Sequence, residues 1–325
     1  MAQTLEPVKE SQPLSVEKQK RAQNTFFMNI QKIIQQSIDL HVHVGPEIIP
    51  RKFTIPELAQ YEKGKLKGIA VKNHFFPTVA MDSRTKISLQ EPIIIHSLVL
   101  NHYTGGWNPD IIRASAELSP RPIIVWFSTL HTECFLSHTK YEIAEEWIDK
   151  TKRKKVSMKK AKDIPALTLF NKNGQFKQDV IDVLRTIKKY KAILATGHLS
   201  SKESEKLVSY AIKKIGIKKV IITHPIYQKI AMPIPAQIKL AKLGAYIEHC
   251  YSMYSIDNIP LDKIAEAIKL VGAKNSILSS DVGQTFSKSP SETLKDFVKA
   301  LQKRKISEDE IKRMLIFNPS KLIAS

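Results

Sequence analysis

The chain has little cysteine: two in 325 residues, Cys134 and Cys250, far apart and in no CxxC pair. Neither a disulfide framework nor a cysteine zinc site is suggested by that spacing. It also lacks a basic start followed by an apolar segment, and no stretch approaches the roughly 18 apolar residues that a membrane span needs. A cytoplasmic location without membrane partners is the expectation. No GxGxxG or Walker loop follows the first candidate strand, so dinucleotide and P-loop chemistry are not indicated. Acids are few beside bases, 31 against 51, which gives a formal charge of +20. Arginine is scarcer still, 9 of those 51. Base-edge and bidentate phosphate recognition favour arginine, so nucleic acid is not the expected partner despite the charge. The one dense basic cluster, "KTKRKKVSMKKAK" at 150–162, reads as a solvated, mobile insert.

What is present is a hydrophobic content of 42%, enough for one large core. Short β-branched runs alternate with amphipathic stretches. The candidate strands are 37–44, 68–74, 93–100, 122–128, 192–198, 218–224, 245–250 and 275–281. Helices are predicted over 54–64, 109–118, 176–190, 201–215, 233–243 and 261–271. Their ends are legible: Ser200 with Glu203 forms a capping box, Gly216 closes that helix, and Asn108-Pro109 opens another. Nearly continuous apolar strands, each followed by a crossover, favour a (β/α)₈ TIM barrel of the α/β class over a doubly wound sheet. Residues 1–36 read as a polar tail with one added helix, "NTFFMNIQKIIQQ". Residues 37–325 read as a single barrel domain, with an excursion over 130–175 that holds a basic insert at about 138–165.

Candidate chemistry gathers at the strand ends. In "SIDLHVHVGPE" alternation turns Asp39, His41 and His43 to one side. His74 closes the second strand with Lys72 on its face, His198 the fifth, His224 the sixth, and Asp281 the eighth. In a barrel these termini share the C-terminal rim, where active sites lie. Imidazoles plus a carboxylate without thiolates suit zinc, manganese or iron. Lying mid-strand, His96 reads as core. His138 belongs to the basic insert, and His102 and His131 sit in loops.

The motifs "DLHVH", "TGHLS", "ITHP" and "SSDVG", with "FNPSKLIAS" at the end, resemble the amidohydrolases, metal-dependent hydrolases on this barrel, across about 37–323. Within that superfamily the chain is most similar to a poorly characterised branch marked by "HVHVGPE", "VKNH", "LNHYTGGWNP" and "ATGHLSSKE". The resemblance implies a metal-dependent hydrolase of a carbonyl-type bond (amide, ester or lactone) in a small molecule. It implies one ion, zinc first, held by His41, His43, His198 and Asp281, or a second ion that adds His224. Strand four departs from the pattern. It offers no lysine, only Glu133 beyond its end, so Lys72 is the candidate bridging ligand through a carboxylated amine, the alternative being a lysine that pairs with a carboxylate or orients substrate. Asp281 would take the proton from the attacking water, His224 would stabilise the oxyanion, and Asp39 would steady a ligand. Arg51, His74, Asn101 and Trp107, with Tyr103, are the substrate-contact candidates. Trp126, inside a strand, reads as core. The alternatives are a metal-dependent decarboxylase or lyase on the same barrel, or a basic binding protein with a vestigial site. A homo-oligomer is compatible with either.

Overall fold

The structure is a computed structural model that describes residues 29–82 and 92–324. The tail and the start of the added helix lie outside the described residues. The rest of that helix runs over 29–36, with Ile30, Ile33 and Ile34 buried.

Among the described residues nine strand segments follow: β1 Ile38–His43, β2 Gly68–Lys72, β3 Ile93–Ile95, β4 Ser97–Val99, β5 Ile124–Trp126, β6 Ile193–Ala195, β7 Val220–Ile222, β8 Tyr246–Cys250 and β9 Ser276–Ser279. Every pairing is parallel. The expected third strand is β3 and β4, interrupted at His96, whose Nε2 lies 3.5 Å from Asp82 Oδ2. Across the interruption Ser97 Oγ donates to Val71 O at 2.6 Å. The ring is closed where the last strand meets the first. His43 N donates to Val282 O at 2.7 Å and Asp281 N to His41 O at 2.9 Å. The result is a (β/α)₈ barrel, as predicted.

Crossover helices occupy Ile55–Glu62, Pro109–Leu118, Gln178–Lys189, Ser201–Tyr210, Ile234–Lys242 and Leu261–Val271, close to the predicted spans. Ser200 caps its helix with Glu203 reciprocating, Gly216 takes a left-handed φ of 81°, and Asn108 accepts from Asp110 N. One apolar cluster fills the space between strands and helices. A second, including Ile38, Leu40, Ala70, Trp126 and Ile277, fills the barrel interior and meets Leu322 and Ile323. These two belong to the helix Asn318–Ile323, which Asn318 fastens by donating to Ala273 O and Ser276 O at 2.9 and 2.7 Å. The closing motif therefore plugs the floor of the barrel.

The pleat of β1 is irregular. Asp39 pairs with Ile69 but Val42 with Val71, so Leu40 and His41 together oppose Ala70, a β-bulge. The bulge shifts the inward face from Ile38 and Leu40 to His41 and His43. The simple alternation that put Asp39 beside the histidines is corrected: Asp39 points away and braces the bulge, its Oδ1 accepting from His41 N at 3.2 Å and Ser280 N at 3.1 Å.

The excursion between β5 and β6 folds back on the rim in short turns at Glu133–Leu136, Glu145–Trp147, Arg153–Lys155 and Ala161–Asp163. Its basic side chains are exposed or half-exposed. Val156 and Met158 nonetheless pack against the core, so the stretch is anchored by apolar contacts.

Candidate metal centre

His41 and His43 come from the bulge, Lys72 from the end of β2, His74 from just beyond it, His198 and His224 from the turns after β6 and β7, and Asp281 from beyond β9. All are buried. Two glycines permit this crowding. Gly197, φ +59°, precedes His198 where a Cβ would lie 2.1 Å from Phe127 O, and a Cβ on Gly283 would lie 2.2 Å from His43 O. Only glycine fits such approaches.

Around Asp281 the donors converge. Its Oδ1 lies 3.1 Å from His41 Nε2 and 3.0 Å from His43 Nε2. Its Oδ2 accepts from Ser252 Oγ at 2.7 Å and stands 4.0 Å from His224 Nε2. Ligand atoms of His41, His224 and Asp281 all lie within 4.8 Å of one another. Lys72 Nζ is 2.9 Å from His41 Nε2. His198 Nδ1 donates to Thr129 O at 2.6 Å, which leaves its Nε2 with a lone pair. Its ring stands 5.1 Å from that of His224, so it flanks the cluster from the far side.

The electrostatics follow from burial. Burial, with the positive charges of Arg51 and Lys72, holds His43 well below its ordinary pKa. Burial does the same to His74 and His198 and pulls His224 down to about 4. These imidazoles are neutral at neutral pH, and those whose lone pair is not already taken up can offer it to a cation. Burial opposes the charge of Asp281, but the His41 and His43 contacts outweigh it and hold the carboxyl well below the usual range. Burial lowers Lys72 to about 8 against the pull of Asp281 and Glu248. With Arg51 paired to Glu47, the carboxylates of Asp281 and Glu248 outnumber the single Lys72 ammonium. Burial raises Asp39 itself to about 7. A buried set of imidazole lone pairs with excess negative charge fits a divalent cation, which His41, His224 and Asp281 would hold, with His43 and His198 beside them.

The pocket above is small and is lined by Arg51, Trp147, Tyr227, Asp257 and Gln284 as well as His43, His74, His198 and His224. Arg51 is no surface ion pair. Its side chain is 1% exposed, and Nη1 is buried without a hydrogen-bond partner among the described residues. His74 lines the same pocket and stacks at 2° on Trp147, ring centroids 5.4 Å apart.

Two expected substrate contacts are corrected. Asn101 is fully buried and committed to the backbone: Oδ1 accepts from Ser128 Oγ, Thr129 N and Leu130 N, and Nδ2 donates to His74 O. Trp107 packs on Phe127 and donates to Thr168 O outside the pocket. Tyr103 donates to Glu142 Oε2 at 2.7 Å, in a separate cluster with His102 and His131. Trp126 is core, as expected, and lies beneath the site with its ring 5.0 Å from Lys72 Nζ. Sequence reasoning missed Glu248, whose Oε2 is 3.2 Å from His41 Nδ1. It also missed Trp147, Ser252 and Gln284. Glu248 was findable, a carboxylate alternating with Tyr246 and Cys250 in the apolar run "AYIEHC".

A profile of the family of unknown function DUF6282 matches residues 36–248, about two thirds of the chain. The chain belongs to that family. No curated protein matches it. Among solved structures this DUF6282 chain is similar to an amidohydrolase from Pseudomonas aeruginosa, at 10% identity and a TM-score of 0.60, covering 90% of this chain and 97% of that one. It is also similar to the probable dipeptidase PvdM from the same organism, at 11% identity and 0.59, covering 92% and 98%. At such identities the likeness is one of fold, a barrel of the same architecture. Among the described residues no helix is long and apolar enough to cross a membrane.

Proposed function

We propose that this protein is a metal-dependent hydrolase of a carbonyl-type bond, an amide, ester or lactone, in a small molecule that carries an anionic group. The observation that carries the reading is the buried group of His41, His224 and Asp281, whose ligand atoms all lie within 4.8 Å of one another. An ion held there, zinc by the chemistry of these donors, supplies Lewis acidity to a scissile carbonyl when bound.

The remaining steps belong to the chain. Asp281, kept ionised, accepts the proton of the attacking water and returns it to the leaving group. Ser252 holds the carboxylate for this by donating to Oδ2 at 2.7 Å. His224 Nε2 faces that oxygen at 4.0 Å and, neutral there, completes with His41 and Asp281 the donor set that would hold the ion. The spare Nη1 of Arg51 offers a donor to a substrate carboxylate, and Trp147, stacked on His74, shields that side of the pocket from water.

The test is elemental analysis of protein purified without chelator, followed by a panel of amides, esters and lactones with and without a carboxylate. One or two equivalents of divalent metal and metal-dependent hydrolysis of an anionic member are expected. Folded, metal-free protein from a metal-replete preparation would refute the reading. Product analysis separates hydrolysis from carbon–carbon cleavage.

A further inference from the structure

We propose that Glu248 is a positioning residue, which acts through His41 and fixes the tautomer in which His41 enters the site. The inference rests on the metal-dependent reading above.

His41 is approached at both ring nitrogens by groups whose hydrogen-bonding sense is fixed. At Nδ1, 3.2 Å away, stands the Glu248 carboxylate, which as an ion only accepts. At Nε2, 2.9 Å away, stands the Lys72 amine, which as an ammonium only donates. Glu248 asks for a proton on Nδ1 and Lys72 for a lone pair on Nε2. Asp281 Oδ1, 3.1 Å from the same Nε2, is an acceptor and would by itself draw a proton there, so the tautomer is fixed from the Glu248 side.

Glu248 is itself held. It is 1% exposed, it lies within β8, a rigid strand rather than a rim loop, and its other oxygen accepts from Ser279 Oγ at 2.9 Å. The Cys250 thiol lies 4.0 Å from the same His41 nitrogen, and burial keeps it protonated, so it brings no competing charge. A carboxylate behind a ligating imidazole both orients the ring and raises its basicity, and losing such a partner costs about 10- to 100-fold in metal affinity.

The experiment strips the full-length protein with chelator and titrates it with Co²⁺, read by its visible absorption and by competition with a chelator of known affinity. Glu248→Gln should bind Co²⁺ about 10- to 100-fold more weakly with shifted bands, while Glu248→Asp recovers part of the loss. Wild-type affinity and spectrum in Glu248→Gln, beside a His41→Ala that binds no cobalt, would overturn the inference and leave the metal reading standing. A wild type that takes up no Co²⁺ would overturn both. Should Glu248→Gln fail to fold, long-range ¹H–¹⁵N spectra of metal-free wild type decide. A proton on Nδ1 of His41 is expected, and a bare Nδ1 overturns the inference.

Discussion

Arg51 donates Nη2 to Nδ1 of His43 at 3.2 Å, and this gives two histidines one residue apart opposite protonation patterns. A guanidinium has no acceptor, so His43 Nδ1 is bare and its Nε2 carries the proton, 3.0 Å from Asp281 Oδ1. His41 presents a lone pair to the carboxylate, and His43 presents a proton. His43 can become a ligand through Nε2 only when Arg51 releases it.

Arg51 and Glu47 form a pair whose side chains are at most 1% exposed. Removing one partner strands a buried charge, which costs about 3–5 kcal/mol. Arg51→Met should lower the melting temperature sharply, and Glu47→Gln added to it should recover much of the loss. The double variant, in which His43 is free, should bind Co²⁺ at least as well as wild type. Weaker binding would show that Arg51 supports the site rather than restraining it.

Asp281 combines a chemical role with a left-handed backbone, φ 51°. Asparagine tolerates that conformation, so Asp281→Asn tests the proton transfer with the main chain unchanged. Normal folding, much of the metal kept by the histidines, and turnover reduced about 10²- to 10⁴-fold are expected. Metal content measured beside kcat separates this from a ligand loss, and turnover within a few-fold of wild type would remove Asp281 from the mechanism.

Gly197 and Gly283 face backbone oxygens that cannot move aside. Alanine at either should destabilise by about 3 kcal/mol or more, since overpacking and backbone strain add. Gly244, φ +101° with nothing within 4 Å, carries the strain without the clash, so its alanine variant should lose only about 1–2 kcal/mol. Urea midpoints of the three variants check the ranking.

Glu62 is buried, and burial raises its pKa although Ser291 N donates to it. The folded chain therefore holds this proton more tightly than the unfolded chain. The associated stability is present below the unfolded value, near 4.5, and is lost as pH rises through the folded value. Glu62→Gln should melt higher than wild type at neutral pH and show a flatter decline over that interval. Identical melting curves from pH 4 to 8 would mean that Glu62 carries no such cost.

The strands were legible because a barrel strand buries both faces and so reads as a β-branched run. The rim residues were legible because four such runs end in a histidine or aspartate. Asn101 was misread because an asparagine that holds three backbone groups looks in sequence like one that awaits a substrate. Trp147 reaches the pocket by the path of a long excursion, which local pattern does not encode. The bulge of β1 escaped because one extra residue in a strand leaves no periodic trace.

That extra residue separates the architecture of the first strand from its chemistry. Leu40 and His41 share a single partner position, Ala70, while His43 pairs with Lys72. Excising Leu40 would restore a regular pleat and leave both histidines opposite the same residues, with only a void in the floor to show for it. Aligned without a gap to a first strand that lacks the bulge, either the apolar half of β1 or its ligand half would fall one column out of place.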